Sequence, residues 1–431
     1  MPISMPTSTL GSLFFRNAEQ LLTLSGPPVP RRGSDLGDLA ILHDGAVLSR
    51  GATIVAVGRT RDLEIEARRL KARPVDCRGL VVMPGFVDSH THLVFAGSRV
   101  DDFEQRLQGR SYEEIAAAGG GIRLSARQLA EASPRELLAQ AASFLEQFAA
   151  HGTTTVEAKT GYGLSVAGEM KTLRVLASLR RRSPLEIVPT LLAAHAVPPA
   201  YRKRPEAYVD LITRRLIPAV AKEKLAEFID CFCDCMAFNV AECRRLLAAG
   251  RRHGLISRLH ADQLNRTGGA RLAIELDAAS ADHLDHVTHF DIRALARSRV
   301  VATLVPGANF HLGLHTYAPA RRLIEAGAAV ALATDFNPGT SPTLNMQFIL
   351  SLACSAMRLT PAEAISAATI NAAYSLSRAH CLGSLEAGKQ ADLVVMDVDD
   401  YRKVPYYFAW NHCVMTVKRG RVIYSRASGQ V

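Results

Sequence analysis

Residues 86–92 read Phe86-Val87-Asp88-Ser89-His90-Thr91-His92, directly after the apolar run Leu80-Val81-Val82-Met83-Pro84-Gly85. Side chains alternate along a strand with period two, so His90 and His92 emerge on one side. One histidine on a strand is most often a satisfied core residue, but two imidazoles at the end of the same apolar strand can grip one cation.

Seven further short β-rich runs follow, near 153–159, 186–194, 227–233, 255–260, 279–284, 299–305 and 329–335. Amphipathic stretches such as Pro134 to His151 and Glu206 to Val220 alternate with them, which is the sequence form of βα repeats and a parallel sheet. Eight repeats predict an α/β fold, a (β/α)8 TIM barrel, whose chemistry gathers at the C-terminal ends of the strands. The flanks read differently. Residues 39–83 and the last 50 or so carry short β-rich runs around Asp-Gly and Gly turns, as in hairpins. The two ends are therefore expected to complete one small β-sandwich: 1–83 and 383–431 for the sandwich, 84–382 for the barrel.

Polar residues stand where the barrel strands should end. His260 closes LISRLH, His283 closes ASADH and Asp335 closes AVALATD. If those ends share one barrel mouth, His90, His92, His260 and Asp335 form an N3O ligand set, which suits Zn2+ or iron better than Ca2+ or Mg2+. The fourth run, FIDCFCDC (228–235), carries no Lys to bridge a second ion, so one divalent metal per subunit is expected, although Asp230 or Asp234 could in principle ligate. Its Cys231, Cys233 and Cys235 lack a fourth partner at zinc-site spacing and read as small buried packing residues. Such a metal centre points to hydrolysis of an amide-like bond. Asp335, a carboxylate beside the ion, is the expected base, and His283 and His195 are placed to polarise a carbonyl or pass a proton.

Composition sets outer bounds. The 431 residues are 48% apolar and 21% charged, an ordinary globular balance that excludes extended disorder. No apolar run is long enough to cross a membrane, since Ala326 to Thr334 is bounded by Glu325 and Asp335. The first 15 residues lack the basic start and cleavage site of a secretory leader, and eight cysteines are too sparse for a disulfide framework. A cytoplasmic protein is expected. The net charge of +10 is spread over pairs and triplets of arginines and lysines, so no nucleic-acid track and no membrane partner are expected. The positive field suits a small anionic substrate.

Taken together, PGFVDSHTH (84–92), HADQ (260–263), ATDFNPG (333–339) and GSLEAGKQADLVVMD (383–397) resemble the amidohydrolase superfamily over nearly the whole chain. Residues 92–122, TTTVEAKTGYGLS (153–165), LLAAHAVPP (191–199) and DFNPGTSP (335–342) narrow the likeness to members that open an imidazolone ring bearing a propanoate arm, the third step of histidine breakdown. The resemblance implies a small anionic imidazolone substrate and a homodimer. It implies that Arg99 holds the substrate carboxylate, that Tyr162 and His195 also bind substrate, and that Tyr162, Asn337, Gly339 and Thr340 contact product. Gly339 is expected to let backbone approach closely, and Asn337 and Thr340 to donate hydrogen bonds. Three residues after His260, where many members carry Glu, stands Gln263, which cannot take up a proton at neutral pH. The base role therefore falls to Asp335 with His283 assisting, and Gln263 is left to orient the ring. The triplet Gly119-Gly120-Gly121 lacks the spacing of a phosphate loop and reads as a mobile connection. Two other readings compete: a heterocycle aminohydrolase, which would release ammonia, and a non-catalytic barrel that only binds.

Overall fold

The computed structural model describes residues 11–111, 114–115 and 118–426. Eight parallel strands form the central sheet: β1 (Phe86–Asp88), β2 (Thr153–Lys159), β3 (Glu186–Ala194), β4 (Phe228–Cys233), β5 (Ile256–Ala261), β6 (Ser280–His283), β7 (Val301–Leu304) and β8 (Val330–Leu332). Each pairs in parallel with the next in chain order. The first and last strands meet just beyond their ends. Thr91 bridges Phe336 in parallel, the His92 N–H donates to the Phe336 carbonyl at 2.8 Å, and the Asp335 N–H donates to the His90 carbonyl at 3.0 Å. The barrel is thus closed by the same two segments that carry His90, His92 and Asp335.

The strands are short and almost wholly buried, as residues enclosed by helices on one side and barrel interior on the other must be. The helices start where the sequence provides caps. Ser133, Pro134 and Glu136 make a capping box for the helix Pro134–Ala150. The stretch expected as one helix over Glu206 to Val220 instead divides into Pro205–Leu211, a π turn at Ile212–Leu216, and Ile217–Glu223. Pro218 offers no N–H to the preceding turn, and the wider π turn absorbs the missing bond.

The terminal segments do join. Val81–Pro84 pairs antiparallel with Leu393–Met396 in a six-stranded sheet, and a four-stranded sheet centred on Ser12–Ala18 packs over it. Leu13, Phe15, Val47, Val82, Leu393 and Val417 fill the space between. Thr60–Arg69 forms a helix that the hairpin reading of 39–83 did not anticipate. Gly85 carries the chain from sandwich to barrel. A Cβ there would lie 2.2 Å from the Thr154 side chain, so only glycine lets β1 start against β2. Among the described residues no helix is long and apolar enough to cross a membrane.

Candidate active site

Each candidate ligand lies where its strand reaches the C-terminal rim. His90 and His92 follow β1, His260 lies near the end of β5, His283 ends β6 and Asp335 follows β8. All five are buried, none more than 3% exposed. The His90 ring lies 4.5 Å from that of His260 and 5.3 Å from that of His283, centroid to centroid. The Asp335 Oδ1 atom is 3.5 Å from Nε2 of both His90 and His92. Two groups of ligand atoms result, His90 with His92 and Asp335, and His90 with His260 and His283; within each, the atoms lie within 4.8 Å of one another.

Hydrogen bonds on the far side of the rings aim these atoms. The His90 Nδ1–H donates to Asp282 Oδ2 at 2.6 Å, and the His260 Nδ1–H donates to Asp230 Oδ2 at 2.9 Å. Both rings are thereby held in the tautomer whose Nε2 carries a free lone pair. Those two Nε2 atoms are buried without a hydrogen-bond partner, a costly arrangement unless a cation sits between them. Burial holds the His90, His92 and His283 imidazoles far below their usual pKa, so they are neutral, as ligands must be. Burial likewise pushes the Asp335 carboxyl well above its usual range, a penalty that a bound cation would relieve. The donor set fits a divalent metal. Asp335 and His283 also stand at positive φ, 53° and 77°, conformations that cost a non-glycine residue about 1–3 kcal/mol each and collect at functional sites.

Beneath the histidines lies a charged layer that sequence reasoning missed. Lys159 reaches inward from β2 and is fully buried, with Nζ 2.8 Å from Asp230, 3.0 Å from Glu157 and 3.6 Å from Asp282. Arg258 lies 3.2 Å from the same Asp282 oxygen and donates to the Ser89 carbonyl at 2.7 Å. Burial alone would push Asp230 up, but His260 and Lys159 outweigh it and hold its carboxyl well below the ordinary range. The absence of Lys from β4 was correctly read, yet β2 brings a lysine to the same carboxylate.

At the mouth, His195 stacks on His92 with centroids 4.9 Å apart and an interplanar angle of 17°. The buried Tyr162 ring lies 5.7 Å from His92 and 5.4 Å from His195. The His195 Nδ1–H donates to the Gly161 carbonyl at 3.3 Å, and burial lowers its pKa to about 3. The ring is therefore neutral, and with Nδ1–H on the Gly161 carbonyl its Nε2 faces away as an acceptor. Arg99 and Gly339 meet, but not as expected. The guanidinium covers the glycine so closely that a Cβ would fall 1.1 Å from its Nη2 atom, so the space admits Arg99 rather than a ligand's approach to backbone. Asn337 donates to the Asp335 carbonyl at 2.6 Å and to Thr340 Oγ1 at 2.8 Å, while its Oδ1 accepts from the Gly339 and Thr340 N–H groups. Its amide builds the 335–340 turn, which leaves the expected donation to product with no spare hydrogen. Gln263 is half-buried on the loop after β5.

Of the three β4-region cysteines, Cys231 and Cys233 are buried as expected, whereas Cys235 is exposed because it lies past the strand end. In the glycine triplet, the Gly121 N–H donates to Asp102 Oδ2 at 2.8 Å, and Gly121 precedes the helix Ile122–Glu131.

A closed parallel barrel with a histidine–aspartate cluster at its C-terminal rim defines a hydrolase of the metal-binding kind, and the sequence profile of the Amidohydrolase family matches residues 114–424. An imidazolonepropionase of Geobacillus kaustophilus is 46% identical over 417 residues, covering 95% of this chain and 97% of the relative. One from Solibacter usitatus is 44% identical over 412 residues, covering 96% and 98%. The solved structure of an adenosine deaminase from Xanthomonas campestris with bound zinc superposes with a TM-score of 0.69 over 96% of this chain and 92% of that one, at 20% identity, a likeness of fold. The chain belongs to the amidohydrolase family and, within it, to the imidazolonepropionases.

Proposed function

We propose that the barrel mouth hydrolyses the ring amide C–N bond of 4-imidazolone-5-propanoate to N-formimidoyl-L-glutamate, using one divalent cation, Zn2+ or iron, held by His90, His92, His260 and Asp335. The observation that carries this reading is the pair of buried, unpartnered Nε2 atoms on His90 and His260 beside the Asp335 carboxylate. A cation seated there supplies Lewis acidity and draws the pKa of a contacting water toward neutrality.

The chain's own groups do the rest. Arg99 holds the propanoate through a charge-assisted fork, and Tyr162 and Gln263 orient the ring. His195 accepts a ring N–H at Nε2. Water contributes its oxygen and one hydrogen to the carbonyl carbon, the ring C–N bond breaks, and the second hydrogen ends on the departing nitrogen. Asp335 takes that proton from water and returns it to the nitrogen, and His283 assists at the carbonyl. Thr340 contacts the product, and Asn337 and Gly339 act by shaping the turn that carries it. A homodimer, implied by the family alone, and a cytoplasmic setting, in keeping with eight unpaired cysteines, belong to the same proposal; sedimentation equilibrium tests the first.

The deciding experiment follows ultraviolet loss of freshly prepared 4-imidazolone-5-propanoate, with ammonia assayed in parallel, before and after chelation and metal return. Ring opening without ammonia, lost on chelation and regained with metal, is expected. Ammonia release from a heterocyclic amine, or no turnover by the metal-restored protein, would overturn the reading.

A further inference from the structure

The turn KTGYG (159–163) is folded over the start of the helix Val166–Arg182, and one side chain of that helix holds it. Glu169 is fully buried in the helix's first turn. Its Oε2 accepts from the Gly161 N–H at 3.1 Å and its Oε1 from the Leu164 N–H at 2.9 Å. Two backbone donors three residues apart thus converge on one carboxylate, one on each oxygen. No Lys or Arg pairs with it among the described residues. The packing leaves no slack: a Cβ on Gly163 would fall 2.4 Å from the Glu169 backbone nitrogen and 2.8 Å from its Oε1.

Two substrate contacts hang from this backbone. Tyr162 lies between the two clamped residues Gly161 and Leu164, with its ring beside His92 and His195. The Gly161 carbonyl, whose own residue is held through its N–H, accepts the His195 Nδ1–H. The carboxylate therefore fixes the height of one ring and the tautomer of another without touching either.

We propose that Glu169 is a positioning residue for substrate: it gathers the backbone of residues 161–164 and through it sets both the placement of Tyr162 and the Nε2-accepting tautomer of His195. This rests on the reading of Tyr162 and His195 as substrate contacts. Burial pushes the Glu169 carboxyl up to about 7 and the hydrogen-bond donors act against that shift, so what holds the turn is the pair of acceptor oxygens facing two backbone N–H groups. A glutamine cannot replace it, since one of its two heteroatoms would present N–H to a backbone N–H.

The test is Glu169→Gln in the full-length, metal-loaded protein. KM for the imidazolone should rise about tenfold or more, the scale of one lost charge-assisted hydrogen bond, with kcat changed less and metal content equal to that of the unmodified protein. Two readouts separate positioning from a merely structural role. The imidazole 15N shifts of His195 should leave the Nδ1–H pattern, and a second change, Tyr162→Phe, should cost much less in the Glu169→Gln background than alone. If Glu169→Gln does not fold, Glu169→Asp, which keeps the charge but shortens its reach, carries the same measurements. Unaltered KM and unaltered His195 shifts in a folded variant would sink the proposal, as would activity loss that only follows metal loss. Failure of the unmodified protein to open the imidazolone would count against the functional reading instead and leave the 15N test standing.

Discussion

An imidazole whose Nδ1–H is taken by a carboxylate has one lone pair left to give, and His90 and His260 both have theirs buried and unclaimed. Asp335 completes the group with a carboxyl that burial pushes well above its usual range. If it moves the proton, Asp335→Asn should lower turnover by about 10²–10⁴-fold in protein that still retains metal, read by steady-state rates alongside metal analysis. Turnover that survives with metal bound would place the base elsewhere. Arg99 calls for a subtler change. Arg99→Lys keeps the charge but loses the planar fork, so KM should rise about tenfold with kcat little altered; a fall in kcat with KM unchanged would mean that the arginine acts on the transition state alone. At this scale His90 and His92 were readable because a two-residue period needs no partner to be seen. Lys159 and Glu169 were not. A lysine on an apolar strand and a glutamate in a first helical turn look ordinary until residues 71 and eight positions away, respectively, close around them.

Among the elements, the seam between β1 and β8 carries the most consequence. It is made by residues just past the two strands, so any shift of β1 against β2 moves His90 and His92 relative to Asp335. Gly85 sets that placement. Gly85→Ala forces a methyl against Thr154 and should destabilise the fold by about 1–3 kcal/mol, measured by denaturant unfolding of the metal-free protein. A variant as stable as the parent would show that the crossing has room to give. The eight strands themselves were legible from composition and spacing, each within a few residues of its observed span. The π turn at Ile212–Leu216 was not, since a helical periodicity carries no mark of where one extra residue is inserted.

For the whole molecule, the barrel joins five charges from four strands in one dry layer under the site: Glu157 and Lys159 from β2, Asp230 from β4, Arg258 from β5 and Asp282 from β6. Removing one partner of a buried pair leaves its counter-charge stranded. Lys159→Met should therefore cost about 3–5 kcal/mol in stability, read by unfolding, and weaken metal binding by about 10–100-fold, read by competition with a chelator, because Asp230 and Asp282 also aim the ligand rings. Lost stability with unchanged metal affinity would show that the layer supports the barrel and not the site.

By itself the sequence determined the alternation of strands and helices, the β-rich character of its two ends, and the residue types at the strand ends, because each of these is written in periodicity over a few neighbouring positions. Only the tertiary structure decided which lone pairs go unclaimed, which lysine answers Asp230, that Asn337 has no hydrogen to spare, and that Arg99 occupies the space over Gly339. Those outcomes depend on distances between residues far apart in the chain, and a hydrogen bond or a desolvated charge has no energy until the fold has brought both partners within a few ångströms and excluded water from between them.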